Sequence, residues 1–547
     1  MDSQAQAVAV TPAQAQRATD RWPRQIKFII GNEACERFSY YGMRGILAGY
    51  ITGEIAKGGL GQSVDTSTTI MHFFVFANYF MPLFGAWLSD KIIGRYHTIL
   101  WVSLFYCAGH GVLACSDLMT VQGKLICLYT GLALIAFGSG GIKPCVSAFV
   151  GDQFRPDQSH LLQKAYGAFY WSINFGSFFA FLVIPTIKEH KGYSWAFATP
   201  GLAMGLATFV FWLGTKHYVR VPPNRQTQTA GFIPVFLTAY AHQPKFSLAP
   251  ALNMLAAIVI PLAAMVCMAI VAVVPQMSPF LRGLGWIGLG AVAIWYLLIV
   301  GASVVGKFEL PDRFWQAARA KYRDHEIAGA RSVGPILFVF ALVPIFWALF
   351  DQTSSTWVIQ GAKMTNFSLL GMEINAEKMQ SANALLVMIL VPLLTLLVYP
   401  RIGRFASPLK RMSFGLFLTG VSYLFVAALQ QRVDAGAQLS VAWQTVPYIV
   451  LTTAEVLVST TGLEFAFTQA APEMKSTIMS FWLLTVAFGN LVVSALTKVL
   501  SSAAGGHAES VSTQRFMLYA WMTFAVAILF SIVAMRYRYM KGTVKET

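Results

Sequence analysis

Three ionisable residues, Glu33, Glu36 and Arg37, fall within five positions at the start of a long apolar run. On a helix, at about 100° per residue, they share an arc of about 140° with Tyr40 and Tyr41. Ala34, Cys35 and Phe38 take the opposite side. A charge at the centre of a membrane helix costs about 2.5–3.5 kcal/mol, so three cost roughly 8–10 kcal/mol unless they meet water or one another. Two readings follow. The residues could sit at the interface and reach water there; short glutamates do this poorly, and Arg44 lies further in. Alternatively they face a wet cavity and exchange a proton. Burial and a neighbouring Arg act in opposite directions on a carboxylate's proton affinity, which suits a group that must bind and release its proton.

Other isolated charges interrupt apolar runs: Lys143 in "GSGGIKPCVSAFVGDQF", Asp351 in "PIFWALFDQTSSTW", Glu455 in "LTTAEVLVSTTGLEF" and His72 in "TTIMHFFVFANYF". Each is costly alone and so a candidate functional group. A structural interhelical pair is the plainer reading for Lys143 and Glu455, and a simple hydrogen-bonded histidine for His72. Arg37 and Lys143 lie in the first half of the chain and Glu455 in the second. A zwitterion with separated ends fits between them, carboxylate to the cations and ammonium to Glu455. Tyr41, Tyr79, Trp347 and Trp482 could line pockets for variable side chains. Glu464 reads as an interface residue. Gly138, Gly140 and Gly141 permit close helix approach beside Lys143.

These side chains need elements to hold them. The chain has 547 residues, 56% hydrophobic and 12% charged, with a mean hydropathy of +0.57. That is too apolar for a water-soluble surface. Apolar runs of about twenty residues recur, the length that crosses a bilayer. Spans are expected near 26–52, 69–90, 98–116, 122–150, 161–186, 193–214, 248–274, 280–305, 334–361, 378–399, 409–430, 441–468, 474–500 and 512–537, about fourteen helices in all. The polar N-terminus lacks the apolar core of a secretory signal. The six cysteines lie in or beside apolar runs without metal-ligand spacing, and read as small buried hydrophobes. Net charge is +16. In a soluble chain this would suggest nucleic acid. Here Lys and Arg gather in alternate loops, which places both termini in the cytoplasm. The main exception is the outer loop "IKEHKGYSW", with Lys188 and Lys191. Ile-Gly-Arg recurs at 93–95 and 402–404, in loops that match if the chain is two repeated halves, an arrangement of transporters. There is no P-loop, HExxH or GxSxG, and "GSGGIK" has the wrong spacing for a Walker motif. Without a nucleotide site, transport would be driven by an ion gradient.

The motifs together resemble the proton-dependent oligopeptide transporter family of the major facilitator superfamily. "EACERFSYYG" is similar to its ExxERxxYY pattern. "GAWLSDKIIGRYHTI", "GSGGIKPCVSAFVGDQF", "FYWSINFGSFFA", "FWALFDQTSSTW" and "TGLEFAFTQAAPEMKS" resemble further signatures in the expected order, over essentially all of 26–537. The resemblance implies an all-α polytopic membrane protein with two six-helix bundles, 26–215 and 334–537. A linker, 216–333, would carry two extra helices as in bacterial members, between cytoplasmic tails 1–25 and 538–547. It implies a secondary transporter of the bacterial inner membrane, not an enzyme, that moves di- and tripeptides with protons by alternating access and needs no cofactor. By motif, Glu33, Glu36 and Arg37 would couple the proton. Arg37 and Lys143 would meet the peptide carboxylate, Asn174 would be the pocket asparagine, and Asn383 and Glu455 would hold the peptide amino terminus. Tyr41, Tyr79, Trp347 and Trp482 would form the side-chain pockets. Arg44 with Asp351 would gate the outer side, and Lys143 with Glu455 the inner side. His72, grouped with the gating residues, stands where some members, including animal ones, carry a histidine.

Two rivals stand beside this reading. A relative that moves nitrate or another anion would have no need of Glu455. A membrane receptor or scaffold that does not transport would not need costly charges spread over both halves.

Overall fold

The computed structural model describes residues 22–155, 158–223, 231–242, 259–274, 276–305, 312–403, 407–471, 474–503 and 510–537. Most of the expected N-terminal tail (1–21), the C-terminal tail 538–547, much of the 216–259 segment and Arg404 of the second Ile-Gly-Arg lie outside these residues. Apolar runs become helices because only a helix satisfies every backbone N–H and C=O within its own segment in lipid. In order they are α1 (Ile26–Thr52), α2 (Val64–Leu88), α3 (Arg95–Ala114), α4 (Val121–Asp152), α5 (Ser159–Leu213), α6 (Phe232–Ala241), α7 (Ile260–Val273), α8 (Pro279–Val304), α9 (Asp324–Phe340), α10 (Pro344–Phe350), α11 (Thr356–Ala362), α12 (Ser381–Leu393), α13 (Pro408–Asp434), α14 (Thr445–Glu455), α15 (Thr461–Gln469), α16 (Lys475–Ala503) and α17 (Thr513–Arg536). A small hairpin, Phe367–Leu369 against Met372–Ile374, joins α11 to α12.

Ten helical segments among the described residues are long and apolar enough to cross a membrane, or eleven with one bent pair. The expected fourteen are not reached by that measure, for identifiable reasons. Gly192, at φ +80°, breaks α5, so two expected spans (161–186 and 193–214) form one folded-back run; only glycine adopts that backbone freely. The expected span 334–361 begins ten residues earlier, at Asp324, and bends by 45° between α9 and α10–α11. Pro344 opens α10, where its missing N–H costs nothing. The first extra helix is described only as Ile260–Val273, too short by itself, and Ile26–Thr52, with its charges, is not among the ten. The helix α6 lies where the sequence shows only a linker.

Helices α1 and α3 to α5 pack mainly on one another, as do α13 to α15 and α17, whereas α2 and α16 make their largest contact with each other. Contact between the two sets runs through α2 against α16 and through α5 against α12. The extra pair α7–α8 docks on α16. Lys498 donates to the carbonyls of Ala272 and Val274 at the end of α7, where a cation meets the negative end of the helix. Near the termini, Arg95 binds Asp152 at 2.6 Å and joins α3 to α4. In the second set Arg411 binds Glu464 at 2.7 Å and joins α13 to α15.

Candidate functional site

Close packing sets the site before its charges act. A Cβ on Gly176 of α5 would stand 2.4 Å from the Ala34 carbonyl of α1. That approach presses "INFGS" against the segment that holds Glu33, Glu36 and Arg37. A Cβ on Gly140 of α4 would meet the Asn78 carbonyl of α2 at 2.4 Å. The glycines around Lys143 thus do the packing that the sequence suggested.

All three charges of the first cluster are buried, Glu33 to 5%, Glu36 to 1% and Arg37 to 4% exposure. They satisfy one another. Arg37 Nε lies 3.1 Å from Glu33 Oε1 and also donates to Glu36 Oε2. Ser139 Oγ, from the Gly-rich turn of α4, donates to Glu36 Oε1 at 3.2 Å. With both carboxylates ionised the trio carries one net negative charge, and with one proton bound it is neutral. Snorkelling to an interface does not describe side chains buried in this way.

Lys143 is different. Its Nζ is buried and has no hydrogen-bond partner. It lies 3.7 Å above the centre of the Tyr79 ring and 5.8 Å from that of Tyr40. Ring faces attract a cation but do not neutralise it. Glu455, at the end of α14, accepts from Asn383 Nδ2 at 2.7 Å, and that amide also reaches Thr452 Oγ1 at 3.1 Å. A π-helical turn, Val456–Thr460, follows Glu455 directly; such turns are frequent at functional sites. The expected inner gate pair of Lys143 with Glu455 is not formed in this structure.

The pair Arg44 with Asp351 is formed, at 2.6 Å, near the helix ends remote from the termini. It belongs to a larger network. Asn490 Nδ2 of α16 donates to the other oxygen of Asp351 at 2.7 Å. Asn490 Oδ1 meets His72 Nδ1 at 2.7 Å, and His72 Nε2 meets Ser355 Oγ at 2.9 Å. An amide oxygen only accepts, so His72 carries its proton on Nδ1. The sequence reading missed Asn490. An asparagine inside the apolar run of α16 was the available signal, since a buried amide needs partners.

The remaining candidates divide. Trp347 and Trp482 meet edge to face with centroids 6.2 Å apart, and Gly462 is where α15 passes Trp482, since a Cβ there would lie 2.0 Å from the ring. Tyr41 packs on Tyr40 and Phe181. Asn174 donates to the Tyr170 carbonyl of its own helix at 3.1 Å. Among the described residues the structure therefore assembles one cluster of two carboxylates on an arginine, one cation, Lys143, without a hydrogen-bond partner, one amide-held carboxylate and one closed network between the two helix sets.

The model of the POT family matches residues 96–522. Solute carrier family 15 member 1 of Oryctolagus cuniculus is 30% identical over 438 residues, covering 76% of this chain and 53% of its own. Peptide transporter family 1 of Drosophila melanogaster is 31% identical, covering 76% and 49%. The chain thus spans about half the length of the curated relatives it matches. A crystal structure of an auto-inhibited POT family peptide transporter is 38% identical, covers 96% of this chain and 99% of its own, and superposes with a TM-score of 0.78. The POT family transporter PepTSo is 39% identical, covers 94% and 98%, and also gives a TM-score of 0.78.

Proposed function

Since the chain belongs to the POT family and has its major facilitator fold, we propose that it is a proton-coupled symporter of di- and tripeptides. It works by alternating access in a bacterial inner membrane, with both termini cytoplasmic. Bundles 26–215 and 334–537 rock about a central site, and the coupling ion takes the place of a cofactor. The observation that carries this reading is Lys143, a buried ammonium without a hydrogen-bond partner, on the opposite helix set from Glu455. A peptide carboxylate satisfies the first and its ammonium the second. Arg37 is already held by two carboxylates, so it meets the peptide only when one of them takes a proton. Proton binding and peptide binding are thereby linked through Arg37. Peptide bridging Lys143 to Glu455 allows occlusion while Arg44 and Asp351 hold the outer side shut, and opening of the inner side then releases both ligands. Tyr41, Tyr79, Trp347 and Trp482 present ring faces to variable side chains, Asn174 lines the pocket, and Asn383 with Glu455 holds the peptide amino terminus.

The test is uptake of dialanine into proteoliposomes, with and without an inward proton gradient. Concentrative uptake that disappears on collapse of the gradient supports symport; no uptake in tight, loaded vesicles removes it. Glu455→Gln adds a sharper expectation. A hydrogen bond to a charged group is worth about 1.5–3 kcal/mol, so zwitterionic dipeptides lose about ten- to a hundredfold in affinity while amino-blocked ones change little. Equal loss for both in a competition assay would remove the ammonium assignment.

A further inference from the structure

The outer loop at 188–192 breaks the positive-inside pattern of the chain, and the structure shows what its charges meet. Lys188 and Glu189 come from α5. Glu377 and Lys378 come from the turn that leads into α12, 189 residues away. The four pair crosswise. Lys188 Nζ binds Glu377 Oε2, and Lys378 Nζ binds Glu189 Oε2 at 2.9 Å. Asn375 Nδ2 donates to the other Glu189 oxygen at 2.7 Å, and Lys378 Nζ also reaches the Glu373 carbonyl at 3.1 Å. One side presents cation then anion, and the other presents anion then cation. The side chains of Glu377 and Lys378 are only 6% and 3% exposed. The contact is close because α1 has no side chains in the way: a Cβ on Gly49 would lie 2.5 Å from Glu377 Oε1. Gln380 Nε2 donates to the Gly45 carbonyl at 3.0 Å.

We propose that Lys188, Glu189, Glu377 and Lys378 form a second outer closure, separate from the network of Arg44, Asp351, Asn490 and His72, and that it helps set how often the outer side opens. The proposal rests on the alternating-access reading. A buried ion pair gains little over two hydrated ions, because desolvation offsets the attraction. Such a pair can close and open at small net cost. Removing one partner is different. The remaining charge, Glu377 at 6% or Lys188 at 19% exposure, stays largely out of water and unpaired only while the outer side is shut, and it regains water when the side opens. Neutralising a single member therefore favours the outward-open form. Exchanging the two charges of one pair keeps the pairing and should restore closure. The reciprocal pattern also fixes register, since a shift by one residue would set like charges against each other.

Distances between bio-orthogonal spin labels at Lys57 and Leu369, both exposed on the outer side, read this directly without any peptide. The purified full chain is measured in nanodiscs. In Glu377→Gln and in Lys188→Gln the long-distance population is expected to rise about tenfold, the ratio that about 1.4 kcal/mol sets. In the doubly exchanged K188E/E377K protein it is expected to return to that of the parent. Unchanged distances in both single variants would overturn the proposal, and so would a doubly exchanged protein as open as the singles. The doubly exchanged protein also answers any loss of folding in a single variant. Since no transport is measured, failure of dialanine uptake would count against the symport reading and not against the closure.

Discussion

Glu36→Gln is expected to abolish concentrative uptake of dialanine while exchange of peptide across the membrane persists. An inward gradient of one pH unit supplies about 1.4 kcal/mol per proton, enough for about tenfold accumulation. That tenfold is what the variant loses. The argument starts from charge. Arg37 faces two carboxylates, Glu33 at 3.1 Å and Glu36 in direct contact. The trio is neutral with one proton and negative without it. A glutamine at 36 cannot gain or lose a proton, and it leaves Arg37 with Glu33 as its one carboxylate partner. The cation is then released towards peptide at all times, and binding no longer depends on the proton. Ser139 still has an amide oxygen to donate to, so local packing is retained. Uptake that remained driven by the gradient at the parental level would end the coupling role of Glu36.

Lys143→Gln is expected to weaken dialanine binding by about ten- to a hundredfold, the loss of one charge-assisted hydrogen bond of about 1.5–3 kcal/mol. The choice of Lys143 over Arg37 rests on partners. Arg37 Nε already faces two carboxylates, whereas Lys143 Nζ has only the ring of Tyr79 at 3.7 Å and that of Tyr40 further off. The side chain with no counter-ion gains most from a peptide carboxylate. The carboxy-amidated peptide is therefore expected to bind the parent and the variant alike. Calorimetry on both ligands checks this, and equal weakening for the two would sink the carboxylate assignment. The variant should not be destabilised, since it removes an uncompensated buried charge.

How far the site was legible depended on the range of each interaction. Glu33, Glu36 and Arg37 are neighbours along one helix, so their spacing alone placed them on one face, and the structure pairs them. The glycines beside Lys143 were readable for the same reason. Asn490 was not. Its partners, Asp351 and His72, lie 139 and 418 residues away, and no local pattern records a contact at that separation. The exception of Lys188 to the charge pattern was visible, but not what it binds.

By itself the sequence determined that the chain is a bundle of membrane helices, because apolar length is a property of each segment and lipid leaves the backbone only helical solutions. It also determined that the chain carries ionisable groups too costly to be incidental. Only the tertiary structure decided which of these groups are paired. Arg44 has Asp351, Arg37 has two glutamates, and Lys143 has no ion partner. It also decided where helices break, at Gly192 and between Phe340 and Pro344. The physical reason is the same in each case. Helix formation and membrane insertion are summed over neighbours in the chain, whereas the energy of a buried charge is set by whatever the fold brings within about 4 Å of it.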